Sequence, residues 1–241
     1  MDFKECKKKF DNDGYFKIKN FLNKTEILNI IEEIKNSSDV DIHKDNNNLV
    51  RRVERFYNKG EYLNLINKKF IELIKNIIGI NVLIFKDKFN LKPPGGEGFK
   101  AHYDGVFIFV DPENKKKCGW YEYGDTFINV LVAIDDCNEE NGTIELARSE
   151  NEPFHNLIKK TKNKEIAELL DEVENEYSFE KIILNVGDLV IFKNTCPHKS
   201  SINNSKTPRR ILYYTYLDEK FGNQYENYFF DKKLSKNTIK S

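Results

Sequence analysis

Four histidines stand in the 241-residue chain, at positions 43, 102, 155 and 198, and two of them keep company that does chemistry. His102 belongs to Phe99-Lys100-Ala101-His102-Tyr103-Asp104. Side chains two apart on an extended strand project from the same face, so His102 and Asp104 converge on one point. An imidazole and a carboxylate offered together suit a divalent cation that takes both nitrogen and oxygen ligands. His-x-Asp alone is a common accident. A second group, Thr195-Cys196-Pro197-His198-Lys199-Ser200, closes an apolar run, and Ser200 shares a face with His198 by alternation. A loop of turn formers (Ser201, Asn203, Asn204, Ser205, Pro208) then leads to Arg209. If that loop reverses the chain, Arg209 returns alongside the strand that ends near His198. A permanently charged guanidinium beside a hydroxyl suits bidentate capture of a carboxylate. Two histidines and one carboxylate make the facial triad of non-haem Fe(II) oxygenases, which leaves coordination positions open. The basic residue near the distal histidine then holds the far end of a keto-acid cosubstrate. Two other readings use the same residues. A cupin-like metal or ligand binder without turnover has no need of Arg209, and a zinc hydrolase needs a general base and leaves Arg209 and Ser200 idle. His43 and His155 read as bystanders.

These groups need strands to carry them, and the pattern supplies strands after an opening in helices. Asn23 with Glu26 is a capping signature, and Ile27, Leu28, Ile31 and Ile34 follow at helical spacing. A polar stretch, 36–48, interrupts. Tyr62, Leu65, Ile66, Phe70, Leu73, Ile74 and Ile77 mark a second helix that Gly79 stops. Beyond Gly79 the period becomes two. Strands are expected at 81–91, ended by Pro93-Pro94-Gly95-Gly96, and at 99–104, 126–135, 143–147, 181–186, 189–193 and 209–217. Asn141-Gly142 is a tight-turn signal between two of them, and 156–176, with Ile166, Leu169, Leu170 and Val173, reads as a helix set between strands. Helices followed by many strands predict a helix-buttressed antiparallel sheet, as a sandwich or barrel.

Composition narrows the partners. Thirty-nine basic side chains balance 39 acidic ones, so the basic excess of a counterion-releasing nucleic-acid binder is missing. Hydrophobic residues at 39% with 13% aromatics are too much core material for a disordered chain. No apolar run approaches the ~18 residues of a membrane span, and the charged start does not read as a signal peptide. Cysteines 6, 118, 137 and 196 show no CxxC spacing and read as reduced thiols. The expectation is a cytoplasmic protein acting on a small molecule, with neither nucleic acid nor membrane as partner.

From Val82 to Leu217 the chain resembles the phytanoyl-CoA dioxygenase (PhyH) superfamily of Fe(II)/2-oxoglutarate-dependent oxygenases. The likeness lies in Phe85-Lys86-Asp87-Lys88-Phe89-Asn90-Leu91-Lys92-Pro93-Pro94-Gly95-Gly96 leading into His102-Tyr103-Asp104, and in Ala133-Ile134-Asp135-Asp136 with Asn141-Gly142-Thr143. It continues through Gly187-Asp188, His198-Lys199-Ser200 and Asn203 to Arg209, eleven positions after His198. The resemblance implies a mainly β fold with flanking helices around a double-stranded β-helix (jelly-roll, cupin-like) core. It implies one domain over 1–241: helical support at 1–79, the core at 80–218 and a C-terminal tail at 219–241. It further implies Fe(II) on His102, Asp104 and His198, and 2-oxoglutarate on Arg209 and Ser200, with Lys86 and Asn90 as further cosubstrate contacts. O2 would be the second cosubstrate, a C–H bond would be hydroxylated, and succinate and CO2 would leave. Relatives that halogenate lack the triad carboxylate, so Asp104 argues against that chemistry. Where the family often has Pro-Gly-Ser-His, this chain has Ala147-Arg148-Ser149-Glu150. The Pro-Pro-Gly-Gly approach resembles members that hydroxylate small polar molecules, amino acids and aminoalkylphosphonates among them; an acyl-CoA or lipid substrate is the alternative. The aromatic stretch Asp111 to Asp125 is a candidate lid. Arg51, Arg52 and Arg55 read either as a contact for an anionic substrate or as a solvated helix face.

Overall fold

The structure is a computed structural model that describes residues 2–46, 48–111, 113–163 and 166–234. Its elements begin α1 (Phe3–Asp13), β1 (Tyr15–Ile18), α2 (Lys24–Asn36), β2 (Asp41–Lys44), β3 (Val50–Glu54) and α3 (Glu61–Ile78). Next come β4 (Val82–Lys92), β5 (Phe99–His102), β6 (Phe109–Val110), β7 (Lys116–Lys117), β8 (Phe127–Ala133) and β9 (Ile144–Leu146). Then follow α4 (Phe154–Leu157), β10 (Thr161–Asn163), β11 (Ile166–Leu169), α5 (Asp171–Glu174) and β12 (Glu180–Lys181). The chain closes with β13 (Leu189–Lys193), β14 (His198–Ser200), β15 (Arg209–Asp218) and α6 (Tyr225–Leu234). None of the described helices is long and apolar enough to cross a membrane.

Two antiparallel sheets form the core. The larger runs β1-β13-β8-β15-β4-β3-β2, the smaller β10-β11-β5-β14-β9-β12. Alternation along the central strands explains why every residue of β8 is buried, because both faces of the large sheet are covered. Val130, Val132, Ile191, Leu212 and Tyr214 face the helices, where Phe70 of α3 meets Tyr214 edge-on at 5.5 Å. Leu131, Ala133, Val190, Phe192 and Ile211 face the small sheet, against Ile144 and Leu146. On β4, β8 and β15 that inner face also carries Lys88, Asn90, Lys92, Asn129, Arg209 and Thr215. The interior between the sheets is thus apolar in one part and polar in another.

The expected helices form as the caps dictate. Asn23 and Glu26 make the reciprocal capping box of α2, and α3 stops at Gly79. The buried stripe of α2 is Ile27, Ile30 and Ile34; Leu28 is exposed, as are Tyr62 and Leu65 on α3. The N-terminal 79 residues are not helical alone, since β1, β2 and β3 join the large sheet. The expected helix over 156–176 is replaced by α4, the β10–β11 hairpin and α5. There the open edge of β5 offers β11 a ladder that outweighs the helix-forming Lys, Glu and Leu content. Of the strand expected at 181–186 only Lys181 belongs to one, with Leu184 in an isolated bridge to Cys137. Asn141-Gly142 does turn the chain, but it carries β8 of one sheet over to β9 of the other and closes no hairpin. Arg209 does not run beside the strand of His198 either. It opens β15 in the opposite sheet, between β4 and β8, and reaches His198's surroundings across the sandwich.

Candidate active site

β5 and β14 pair antiparallel with His102 directly opposite His198, and their rings lie 4.1 Å apart between centroids. Asp104 follows β5, where its backbone N–H donates to Asn194 O at 3.0 Å and the Asn194 amide donates back to Asp104 O at 3.2 Å. The chain turns away at Gly105, with φ +79°, where a Cβ would stand 2.5 Å from Cγ of the buried Trp120. Only glycine serves there, on both counts. One ligand atom from each of His102, Asp104 and His198 lies within 4.8 Å of the others, with His198 Nε2 3.7 Å from Asp104 Oδ2.

The neighbours of the triad fix its protons. His102 Nδ1 is 2.7 Å from Lys100 O and His198 Nδ1 is 3.0 Å from Cys196 O. A carbonyl only accepts, so each Nδ1 carries the hydrogen and each Nε2 keeps a lone pair for a cation. Burial, then the charge of the other imidazole, pushes His102 down to about 3; burial also lowers His198. Burial alone would raise Asp104, but His198, Lys88, Lys86 and His102 more than offset it and bring the carboxyl to about 2. At neutral pH the set is two neutral imidazoles and a carboxylate, the forms a metal takes without displacing a proton. Asp104 Oδ2 accepts from the Asn129 amide at 2.9 Å, and Asn129 Oδ1 accepts from the Thr215 hydroxyl at 2.7 Å, which fixes the carboxylate's orientation.

A cavity of about 110 Å³ runs from His102 and His198 to Arg209. Arg209 is 4% exposed, donates through Nη1 to Gly142 O, and leaves its buried Nε without a hydrogen-bond partner. Ser200 Oγ accepts from Lys92 Nζ at 2.9 Å and from Phe99 N at 3.3 Å, so its own hydrogen is left to donate into the cavity. Lys92 also donates to Ser201 O at 2.6 Å. Burial, and then repulsion from Arg209, lowers Lys92 to about 7. Asn90 lines the cavity with a buried Oδ1 that has no partner. Lys86 does not line it. Its ammonium lies 4.3 Å above the Trp120 ring, one step deeper along β4, and Lys88 occupies the wall instead, 4.7 Å from the Tyr213 ring.

The remaining expectations sort by position. The stretch Asp111 to Asp125 stands apart from the cavity: Trp120 is fully buried, none of its described residues lines the cavity, and Tyr121 OH accepts from Asn194 behind Asp104. Arg51 and Arg52 sit on strand β3 and Arg55 just beyond it, so the helix-face alternative fails. His43 lies 3.0 Å from Glu54, and His155 is exposed. Sequence reasoning passed over Lys88, Lys92, Asn129, Asn194 and Thr215. Asn129 and Thr215 are polar residues inside apolar strands, and that was the available signal.

Two facing antiparallel sheets with this site between them define the jelly-roll, cupin-like class of fold. The chain belongs to the phytanoyl-CoA dioxygenase (PhyH) family, whose sequence profile matches residues 10–211. It is 30% identical over 190 residues to the 2-aminoethylphosphonate dioxygenase of an uncultured bacterium, HF130_AEPn_1, covering 77% of this chain and 65% of that protein. It is 30% identical over 163 residues to the methylphosphonate hydroxylase of Gimesia maris, covering 66% of this chain and 54% of that one. The chain thus spans between about half and two thirds of the length of these curated relatives. Among solved structures, the non-haem alpha-ketoglutarate-dependent carbocyclase SnoK superposes with a TM-score of 0.68 at 16% identity, over 89% of this chain and 83% of that one. EctD from S. alaskensis, solved with 2-oxoglutarate and 5-hydroxyectoine, gives 0.68 at 15% identity over 89% and 75%. At such identities these two establish the fold alone.

Proposed function

We propose that this chain is one Fe(II)- and 2-oxoglutarate-dependent dioxygenase domain that hydroxylates an unactivated C–H bond of a small polar molecule. The aminoalkylphosphonate class is favoured over amino acids and acyl thioesters by the names of its 30%-identical relatives. The observation that carries the reading is the cavity with His102 and His198 of the triad at one end and Arg209, its Nε unsatisfied, at the other. A buried guanidinium nitrogen and the buried Asn90 oxygen without partners both call for a polar guest.

His102, Asp104 and His198 would hold the metal through Nε2, Oδ and Nε2, leaving the remaining positions open. Bound Fe(II), with 2-oxoglutarate and O2, supplies the oxidising power for C–H hydroxylation, with succinate and CO2 as products. Arg209 and Ser200 would grip the distal carboxylate of the diacid, the arginine by its fork and the serine by its free hydrogen, while Lys92 holds Ser200 from behind and adds its charge. Lys88 and Asn90 would line the diacid's flank, the place that sequence assigned to Lys86 and Asn90. The apolar floor of Ile144 and Tyr213 would keep water from the reacting carbon. A metal binder without turnover, or a zinc hydrolase, leaves Arg209 and Ser200 converging on nothing.

Anaerobic addition of Fe(II) and then 2-oxoglutarate tests the reading. A weak visible charge-transfer band is expected, followed on admission of O2 by succinate release with a phosphonate, amine, amino acid or acyl thioester from a panel. No band at saturating ligand sinks it.

A further inference from the structure

A second cavity, about 660 Å³, abuts the first and shares Asn90, Phe99 and Arg209 with it. Its walls come from β2, β3, β4 and α6. Among the described residues they carry four arginines and three lysines against two carboxylates, Asp41 and Glu54. Glu54 is already committed, accepting from Lys232 at 2.8 and 2.6 Å and lying 3.0 Å from His43 and 3.4 Å from Arg52. Arg209 answers to the diacid of the first cavity, and Asp45 and Glu226 pair with Arg51 and Arg55 from outside the lining, so six cations face four carboxylates and an excess of two remains. An uncharged or cationic guest would leave that excess uncompensated, whereas a doubly charged oxyanion would neutralise it.

Two of the arginines are held as if for a guest. Arg51 is braced by Leu91 O and Asp45, each at 3.2 Å. Arg55 meets the highly exposed Glu226 at 2.9 Å through Nη2, lies 5.5 Å over the Phe229 ring, and has a buried Nε with no hydrogen-bond partner. Its backbone sits at φ +66°, a left-handed conformation that costs a non-glycine residue about 1 kcal/mol. That strain turns the chain out of β3 and places the guanidinium against the cavity. In the β3–β4 register, Arg52 stands opposite Asn90 and Glu54 opposite Lys88. The two cavities therefore join along β4 and β15, where Asn90 and Arg209 line both.

We infer that the second cavity is the subsite for a doubly charged tetrahedral oxyanion on the substrate, a phosphonate in chemical class, gripped chiefly by Arg51 and Arg55. This deepens the dioxygenase reading and rests on it for the word substrate, but the anion site has its own test. Binding of 2-aminoethylphosphonate and of methylphosphonate is measured by calorimetry and 31P line width, on anaerobic protein holding Fe(II) and 2-oxoglutarate. Arg51→Ala and Arg55→Ala are each expected to weaken phosphonate binding about tenfold or more. Arg55→Lys, which keeps the charge and the packing over Phe229 but loses the fork, falls between. The 2-oxoglutarate band stays as in wild type for all three variants. Wild-type phosphonate affinity in both alanine variants overturns the inference, and so does a wild-type protein that forms the band but binds neither phosphonate. Arginine-dependent phosphonate binding without any band would leave the anion site standing and bring down the dioxygenase reading.

Discussion

Replacing Arg209 by alanine probes the far end of the first cavity directly. The guanidinium is 4% exposed and shares its end of the cavity with Ser200, which Lys92 braces from behind at 2.9 Å. Removing one member of a buried charge-assisted pair costs about 2–5 kcal/mol, and about 1.4 kcal/mol makes a factor of ten. The full range is therefore about 30- to 5,000-fold in the dissociation constant of 2-oxoglutarate. The Ser200 hydroxyl survives the substitution with the Lys92 charge behind it, so the lower part of that range is expected, about 30- to 300-fold. Arg209→Lys keeps a charge but not the fork and should lie between. Loss of the bond to Gly142 O costs stability too, about 1 kcal/mol, softened by Lys92 at 3.4 Å from the same carbonyl. The assay is titration of 2-oxoglutarate into anaerobic Fe(II)-loaded protein, followed by the visible band, with the unfolding midpoint measured alongside. A dissociation constant within threefold of wild type in Arg209→Ala refutes the assignment of this end to a diacid.

Lys92, lowered to about 7 in the free protein, is charged below that pH and progressively neutral above it, while a bound carboxylate favours its charged form. Affinity for 2-oxoglutarate should accordingly fall as pH rises from 7 towards 9, and Lys92→Met should bind more weakly with a flat profile; a sloping profile in the variant counts against Lys92. Asn129→Ala removes the amide that orients Asp104 and should weaken Fe(II) or Co(II) binding about 10- to 100-fold, read from metal titrations, with unchanged affinity refuting the role. Burial would raise Glu54, but His43, Lys232 and Arg52 hold it well below its usual 4.5. Its contribution to stability is thus present above pH 4.5 and lost as pH falls below it. Glu54→Gln should cost about 3–5 kcal/mol in urea unfolding at pH 7, and the gap from wild type should shrink between pH 5 and 3; a constant gap refutes it.

Features set by local rules were legible in the sequence. The capping box at Asn23 and Glu26, the stop at Gly79 and the alternation that puts His102 and Asp104 on one face all depend on neighbours a few residues away. Features that depend on distant partners are not legible in the same way. The segment 156–176 reads as a helix because its residues favour one, yet the free edge of β5 recruits 166–169 as a strand. Lys86, Lys88 and Asn90 alternate onto one face of β4, and the Trp120 and Tyr228 rings packed against Lys86 take it off the cavity wall and leave that place to Lys88. Type and spacing mark the role of Arg209 but not its sheet, because the Asn141-Gly142 crossover that brings Gly142 O to it joins the two sheets. Asn129 and Thr215 matter through each other and through Asp104, a triangle no single strand reveals.

The pairing of β5 with β14 has a consequence for assembly. His102 and His198 come together only because these two short strands meet in one particular alignment. A slip of a single position would send one imidazole through to the other surface of the small sheet. Cation capture is therefore a form of proofreading, open to chains whose small sheet has zipped correctly. The captured ion returns the favour, since whatever binds the native state alone holds a three-residue strand in place against fraying.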